Sequence, residues 1–159
     1  MRKQPNSRMC FVCGLQNPVG LHLAFYEDHA SNPKAVRAEV VIPDKYQGYP
    51  GVAHGGILAA ILDEVAGRAT IIDGGPDDLF MTLKMELRYR LPTPTETPLT
   101  GVGWVTQRRG SRARVHGELR LPDGRVSVEA DLVIMRPSGD FASVWESERP
   151  YWRVYPDKD

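Results

Sequence analysis

The stretch from Pro50 to Ile72 limits what this chain can become more than any other. After Gly48-Tyr49-Pro50-Gly51, the residues Val52-Ala53-His54-Gly55-Gly56 open into an apolar run, 57–72, whose only charges are Asp63, Glu64 and Arg68. Its alanines and leucines favour helix. A helix with so little charge has to be wrapped on most of its sides, so the rest of the chain must supply the wrapper. Asp73-Gly74-Gly75-Pro76 stops the helix.

The remaining patterned sequence reads as strands. Val36, Ala38, Val40 and Ile42 recur at period two across 35–42, and Pro43 ends that segment. Residues 21–26 alternate well enough for a strand after the turn Asn17-Pro18-Val19-Gly20. Across 82–89 the period puts Leu83, Met85, Leu87 and Tyr89 on one face, with Lys84, Glu86 and Arg88 on the other. Residues 99–107, 112–121 and 126–135 complete the set, the last two joined by Pro122-Asp123-Gly124, which suits a tight hairpin. These elements predict an α+β fold, with one long buried helix held by an antiparallel sheet of five or six strands. A single helix shields one sheet face only, so a second chain is expected to cover the remainder.

A chain of 159 residues fits one domain with a sizeable core. Its 20 basic and 20 acidic residues cancel, leaving no global field to attract nucleic acid or an anionic membrane, and no nucleic-acid reading motif appears. No run approaches the roughly 20 apolar residues of a membrane span, and the first residues open into no apolar leader. A cytoplasmic protein with neither membrane nor nucleic acid as partner is the expectation. Residues 1–20 read as an N-terminal extension, 21–136 as the core domain and 137–159 as a C-terminal extension. The aromatics of that last segment, Trp145, Tyr151, Trp152 and Tyr155, predict packing over the body or over a partner.

Asp63 is the residue that points to chemistry. It follows Ile61-Leu62 in a helix expected to be buried, where an unpaired carboxylate costs several kcal/mol. The small residues Ala59, Ala60, Ala66, Gly67 and Thr70 share its side of the helix and would admit another backbone or a slim ligand. Pairing with an arginine, or capping a loop, is the structural alternative. Glu64 precedes Arg68 by four, the favourable order for a helix ion pair. His54 sits where the helix begins, and the Gly55 N–H there lacks an intrahelical acceptor. It is a candidate donor for a developing oxyanion at the positive helix end, unless Gly55-Gly56 is simply a tight leading turn and His54 a packed core residue. From Gly55 to Asp63 the helix rises about 12 Å, too far for both to reach one carbonyl. If they cooperate, they come from different chains.

Cys10-Phe11-Val12-Cys13-Gly14 holds the only cysteines. Two thiolates make half of a four-ligand zinc site, no second Cys-x-x-Cys follows, and His22 is one further ligand without an evident fourth. Packing is the favoured reading of this pair, with metal binding and redox chemistry as alternatives, and no metal is expected.

His54-Gly55-Gly56 with Asp63-Glu64 and Gly67 resembles the hotdog-fold acyl-CoA thioesterases of the PaaI-like superfamily. Thr82 opening a strand that runs to Tyr89-Arg90-Leu91-Pro92 is similar to that family too, and a bacterial subgroup shares the look of Cys10-Phe11-Val12-Cys13-Gly14, Asn17-Pro18-Val19-Gly20-Leu21 and Gln47-Gly48-Tyr49-Pro50-Gly51-Val52. The resemblance spans residues 10–135. It implies a hotdog fold paired across chains as a homodimer, or a dimer of dimers, hydrolysing acyl-CoA at the chain interface. Coenzyme A enters only as part of the substrate, so no separate cofactor is implied. Carried over, Asp63 is the nucleophile or general base, Gly55 supplies the N–H that polarises the thioester carbonyl, His54 supports the helix start, and Thr82 helps hold the attacking water or the carboxylate. Related enzymes place Asn or Gln where this chain has Gly48, which makes Gln47 the candidate for that role.

Coenzyme A carries phosphates, and Arg108, Arg109, Arg112 and Arg114 around Gly110-Ser111 are the best basic cluster for them, the plain alternative being a solvated turn. Met81, Met85, Leu62 and the C-terminal aromatics are candidate apolar lining for the acyl group. Two other activities fit the same framework: a hotdog dehydratase acting on beta-hydroxyacyl thioesters, and a non-catalytic acyl-thioester binding protein.

Overall fold

The structure, a computed structural model, describes residues 1–156. In chain order it runs β1 (Arg2–Lys3), β2 (Tyr26–Asp28), β3 (Ala35–Val40), β4 (Gln47–Tyr49), β5 (Val52–Ala53), α1 (Gly55–Gly67), α2 (Ile71–Gly74), β6 (Met81–Tyr89), β7 (Leu99–Arg109), β8 (Arg112–Arg120), β9 (Val126–Met135) and α3 (Asp140–Glu146). A single turn of tighter helix, Arg68–Thr70, carries α1 into α2. β4 and β5 form a small ribbon, and the other strands make one sheet in the order β1-β2-β3-β7-β8-β9-β6. Every pairing in it is antiparallel.

Why α1 lies where it does follows from its spacing. Leu58, Ile61, Leu62, Val65 and Ala66 are its buried residues, the 3.6-period stripe of a helix facing a core. They pack with Val36, Ala38 and Val40 of β3, Val115 and Leu119 of β8, and Val128, Ala130 and Leu132 of β9. Gly103 and Gly117 stand opposite each other on β7 and β8, directly beneath the helix. A Cβ on Gly103 would meet the Val65 carbonyl oxygen at 2.4 Å, and one on Gly117 would meet Ala66 Cβ at 3.2 Å. The absent side chains are what let the helix sit down on the sheet.

This is the hotdog fold, a long helical segment cradled by an antiparallel sheet. Its sheet has seven strands rather than five or six, because residues 2–3 and 26–28 extend one edge. The strand expected over 21–26 is reduced to Tyr26–Asp28. Leu21 and Leu23 donate their N–H groups to the carbonyls of Phe11 and Val12, so that segment is tied to the cysteine turn instead of the sheet, and His22 takes φ 55°. At the other edge, pairing of β6 with β9 shifts register between Thr82 and Lys84. The one-face alternation expected for β6 breaks there. Met85 and Leu87 are half-buried, whereas Leu83 and Tyr89 are 51% and 56% exposed on a strand with no neighbour beyond it. Among the described residues, no helix is long and apolar enough to cross a membrane.

The C-terminal aromatics lie on the body. Trp145 meets Trp152 edge to face at 5.4 Å, Trp152 Nε1 donates to the Pro76 carbonyl at 2.8 Å, and Tyr151 lies under the Arg8 guanidinium at 4.4 Å. Residues 157–159 of the C-terminal extension lie outside the described residues.

Candidate active site

At the start of α1, His54 is the cap. Its backbone is extended, and its Nδ1 accepts the Gly56 N–H at 2.9 Å, which satisfies one of the orphan donors of a helix start. The ring is exposed, so the packed-core alternative does not hold. The Gly55 N–H, at the first helical position, has no acceptor among the described residues. From β6, Tyr89 reaches across and donates its hydroxyl to the Gly55 carbonyl at 2.9 Å, fixing the turn that presents this N–H. Period two assigns Tyr89 a face of β6 but not a partner, so this contact with the helix start is visible only in the fold.

Two turns further on, Asp63 accepts a 2.6 Å hydrogen bond from the Thr82 hydroxyl onto Oδ1. Burial pushes the Asp63 carboxyl above the ordinary aspartate range. The bond from Thr82 opposes that rise, and the neighbouring Glu64 charge adds to it. Asp63 has no cationic partner among the described residues, so the arginine alternative falls away. Glu64 takes that role instead: its Oε1 accepts from Arg68 Nε at 2.7 Å, as the spacing predicted.

Asp63 and Thr82 line a cavity of about 240 Å³, walled also by Phe80, Phe141, Trp145 and Trp152. His54 and Gly55 line a different hollow, with Tyr49, Leu58, Tyr89 and Pro92. Within one chain the acid and the free N–H therefore face separate spaces at opposite ends of α1. Of the expected acyl lining only the aromatics Trp145 and Trp152 border the acid's cavity. Leu62 is fully buried against the sheet, and Met81 and Met85 stand elsewhere on β6.

The profile of the thioesterase superfamily matches residues 50–128, from the turn before His54 through most of β9's first half. The solved structure of a thioesterase superfamily protein is 30% identical, with a TM-score of 0.69 over 80% of this chain and 63% of that one. Over those residues the chain matches the thioesterase superfamily, on the hotdog fold described above. It spans less than two thirds of that relative's length. A phenylacetic acid degradation-related protein from Ralstonia eutropha JMP134 aligns at 23% identity and a TM-score of 0.63, over 73% of this chain and 86% of that one. A Streptococcus mutans UA159 protein bound to acetyl CoA aligns at 19% and 0.58, over 64% and 79%. Both likenesses are of fold. Among curated proteins none matches the chain.

The other candidate residues are placed less favourably. Gln47 spends its side-chain carbonyl on the Gly51 N–H at 3.2 Å and borders neither cavity. Its neighbour Gly48 lies tightly over His54, where a Cβ would meet His54 Cα at 3.3 Å, so an Asn or Gln at that position would press on the helix cap. The arginines divide. Arg108 ion-pairs with buried Asp78, which also binds Arg136 at 2.8 Å, while Arg109, Arg112 and Arg114 share an exposed hollow of their own without acidic partners among the described residues. Asp78 escaped notice in the sequence, where it reads as one more loop carboxylate. The cysteines do meet a third candidate ligand: Cys10, Cys13 and Glu64 converge, and all three border the cavity of Asp63. His22 turns to the Asn17 carbonyl instead.

Proposed function

We propose that the chain hydrolyses acyl-CoA thioesters in a site assembled from two copies of itself, with Gly55 of one and Asp63 and Thr82 of the other. One observation carries this reading. The free N–H and the half-buried acid belong to the same helix yet open into different spaces, so a shared carbonyl can lie between them only if a second α1 brings its own end alongside. A structural relative bound to acetyl CoA supports the substrate class.

In this reading the Gly55 N–H, at the positive end of α1, binds the thioester oxygen as it gains charge. Asp63 takes a proton from water as the hydroxyl oxygen bonds to the acyl carbon. Collapse of the adduct breaks the C–S bond, and the proton held by Asp63 passes to the departing coenzyme A sulfur. Direct attack by Asp63, giving an acyl-carboxylate that water then opens, uses the same geometry. The exposed Arg109, Arg112 and Arg114 are the phosphate contacts to test, since Arg108 is already engaged with Asp78. Asp63→Asn should lower thiol release from saturated acyl-CoA by about 100-fold or more while circular dichroism stays native. Unchanged turnover in a folded variant would defeat the proposal, and activity confined to beta-hydroxyacyl thioesters without thiol release would replace it with the dehydratase.

A further inference from the structure

We propose that Cys10, Cys13 and Glu64 form a binding site for a zinc-class divalent cation, held by two thiolates and one carboxylate oxygen, with a fourth position open to the cavity of Asp63. The ligand atoms of the three residues all lie within 4.8 Å of one another, and Cys10 Sγ is already 3.8 Å from Glu64 Oε2. Ligands of one tetrahedral zinc, at about 2.3 Å for sulfur and 2.0–2.2 Å for oxygen, stand roughly 3.5–3.8 Å apart. A contraction of about an ångström closes the set.

What surrounds these atoms fits a bound metal better than plain packing. Cys10 Sγ receives the backbone N–H groups of Val12 and Cys13, each at 3.4 Å. Ser7 Oγ accepts the Cys10 N–H at 3.2 Å and lies 3.3 Å from Cys13 Sγ, where its hydroxyl can donate to a thiolate. The turn is locked shut at Gly14, whose N–H reaches the Cys10 carbonyl at 2.8 Å and where a Cβ would sit 2.4 Å from Cys10 N. Outer donors of this kind orient metal ligands and tune them. Glu64 divides its oxygens in the same way, Oε1 to Arg68 and Oε2 toward Cys10.

Arg68 supplies a second, independent indication. It is only 4% exposed, it bonds Glu64 and the Pro5 carbonyl, it stacks on Phe25 at 4.2 Å and Trp152 at 5.1 Å, and it still leaves Nη2 without a hydrogen-bond partner. Two thiolates and a carboxylate around a divalent ion carry one net negative charge, which the buried guanidinium cancels. Thiolate ligands select zinc over magnesium or calcium. Each site that fills takes up one cation and releases two thiol protons. Cys10, Cys13, Glu64 and Asp63 all border one cavity, so the open position faces the acid. The cation would also clamp the N-terminal segment to α1, and neither role depends on thioester hydrolysis.

The test uses the full chain, reduced, with cobalt(II) as a spectroscopic stand-in. One equivalent should produce thiolate-to-cobalt charge-transfer absorption that zinc then bleaches. Cys10→Ser and Cys13→Ser should abolish that absorption, and Glu64→Gln should weaken binding by about 10-fold or more. Because those variants can unfold, the unaltered chain provides a second readout: zinc should slow alkylation of both cysteines, located by peptide mass. No cobalt absorption when both thiols are demonstrably free, absorption that survives loss of either cysteine, or alkylation indifferent to zinc would each overturn the site. A Cys10–Cys13 disulfide that prevents binding even after reduction is attempted would do the same, in favour of redox chemistry.

Discussion

An aspartate that is to accept a proton must first be ionised, and burial works against that at Asp63. Thr82 works for it, because a hydroxyl donating at 2.6 Å to Oδ1 favours the carboxylate over the acid. Thr82→Val removes the donor at nearly constant volume, so the acidic limb of the kcat profile should move to higher pH. A role limited to shape would instead lower kcat at every pH and leave the limb in place. The same sign governs stability. A carboxyl whose folded pKa is raised contributes fully below its unfolded value, about 3.9, and loses that contribution as pH climbs through the folded value. Asp63→Asn, uncharged throughout, should therefore melt at pH 7 no lower than the unaltered chain in scanning fluorimetry; a fall of several degrees would mean that the charge is structural. Much of this residue chemistry could be read from sequence, since an acid after Ile61-Leu62 demands an explanation and Glu64 with Arg68 obeys the i,i+4 rule. The meeting of Cys10 with Glu64 could not, because 54 residues separate them and only the tertiary fold brings the cysteine turn to the helix.

At the level of elements, the helix and the sheet are joined where side chains are missing. Val65 and Ala66 rest on Gly103, and the clash an added methyl would meet there is with backbone, 2.4 Å from the Val65 carbonyl oxygen. Backbone cannot rotate aside as a side chain can. Gly103→Ala should cost about 1–3 kcal/mol, read as a fall in Tm of roughly 2–4 °C per kcal/mol. Gly101→Ala is the contrast, since the atoms nearest its methyl are side-chain ones, Val65 Cγ2 at 3.1 Å, Leu119 Cδ2 at 3.6 Å and Ala38 Cβ at 3.7 Å; equal losses from both would refute the contact. The long elements were legible because period and length identify them: α1, β3 and β6 through β9 stand where the pattern put them, within two residues at most ends. The segment 21–26 departs from its pattern because alternation reports a half-buried extended chain, not its hydrogen-bond partner, and here the partner is the loop at Phe11 and Val12. The glycines of β7 and β8 gave no sign of their purpose, as closeness to a helix is a property of the pair.

For the whole molecule the question is which chain supplies which half of the site, and it can be answered without a structure of the complex. Gly55→Pro deletes the N–H proposed to bind the thioester oxygen, at a position whose backbone suits proline and where the new Cβ would meet the Tyr89 hydroxyl at 3.3 Å. It is the first residue of α1, where proline is well tolerated, and His54 before it is already extended at φ −64°, ψ 133°, as a residue preceding proline should be. Asp63→Asn removes the other half. Each variant alone should be nearly inactive. In a two-fold dimer formed from one of each, the Asp63→Asn chain still offers its Gly55 N–H and the Gly55→Pro chain still offers its Asp63, so one site is intact and the other lacks both groups. Random mixing during co-expression makes half the dimers hybrid with one working site of two, hence about a quarter of the unaltered rate. Hybrid dimers isolated by paired affinity tags should retain about half of it. If Gly55 and Asp63 instead serve the same carbonyl within a single chain, every site in the hybrid lacks one group, and mixing restores nothing.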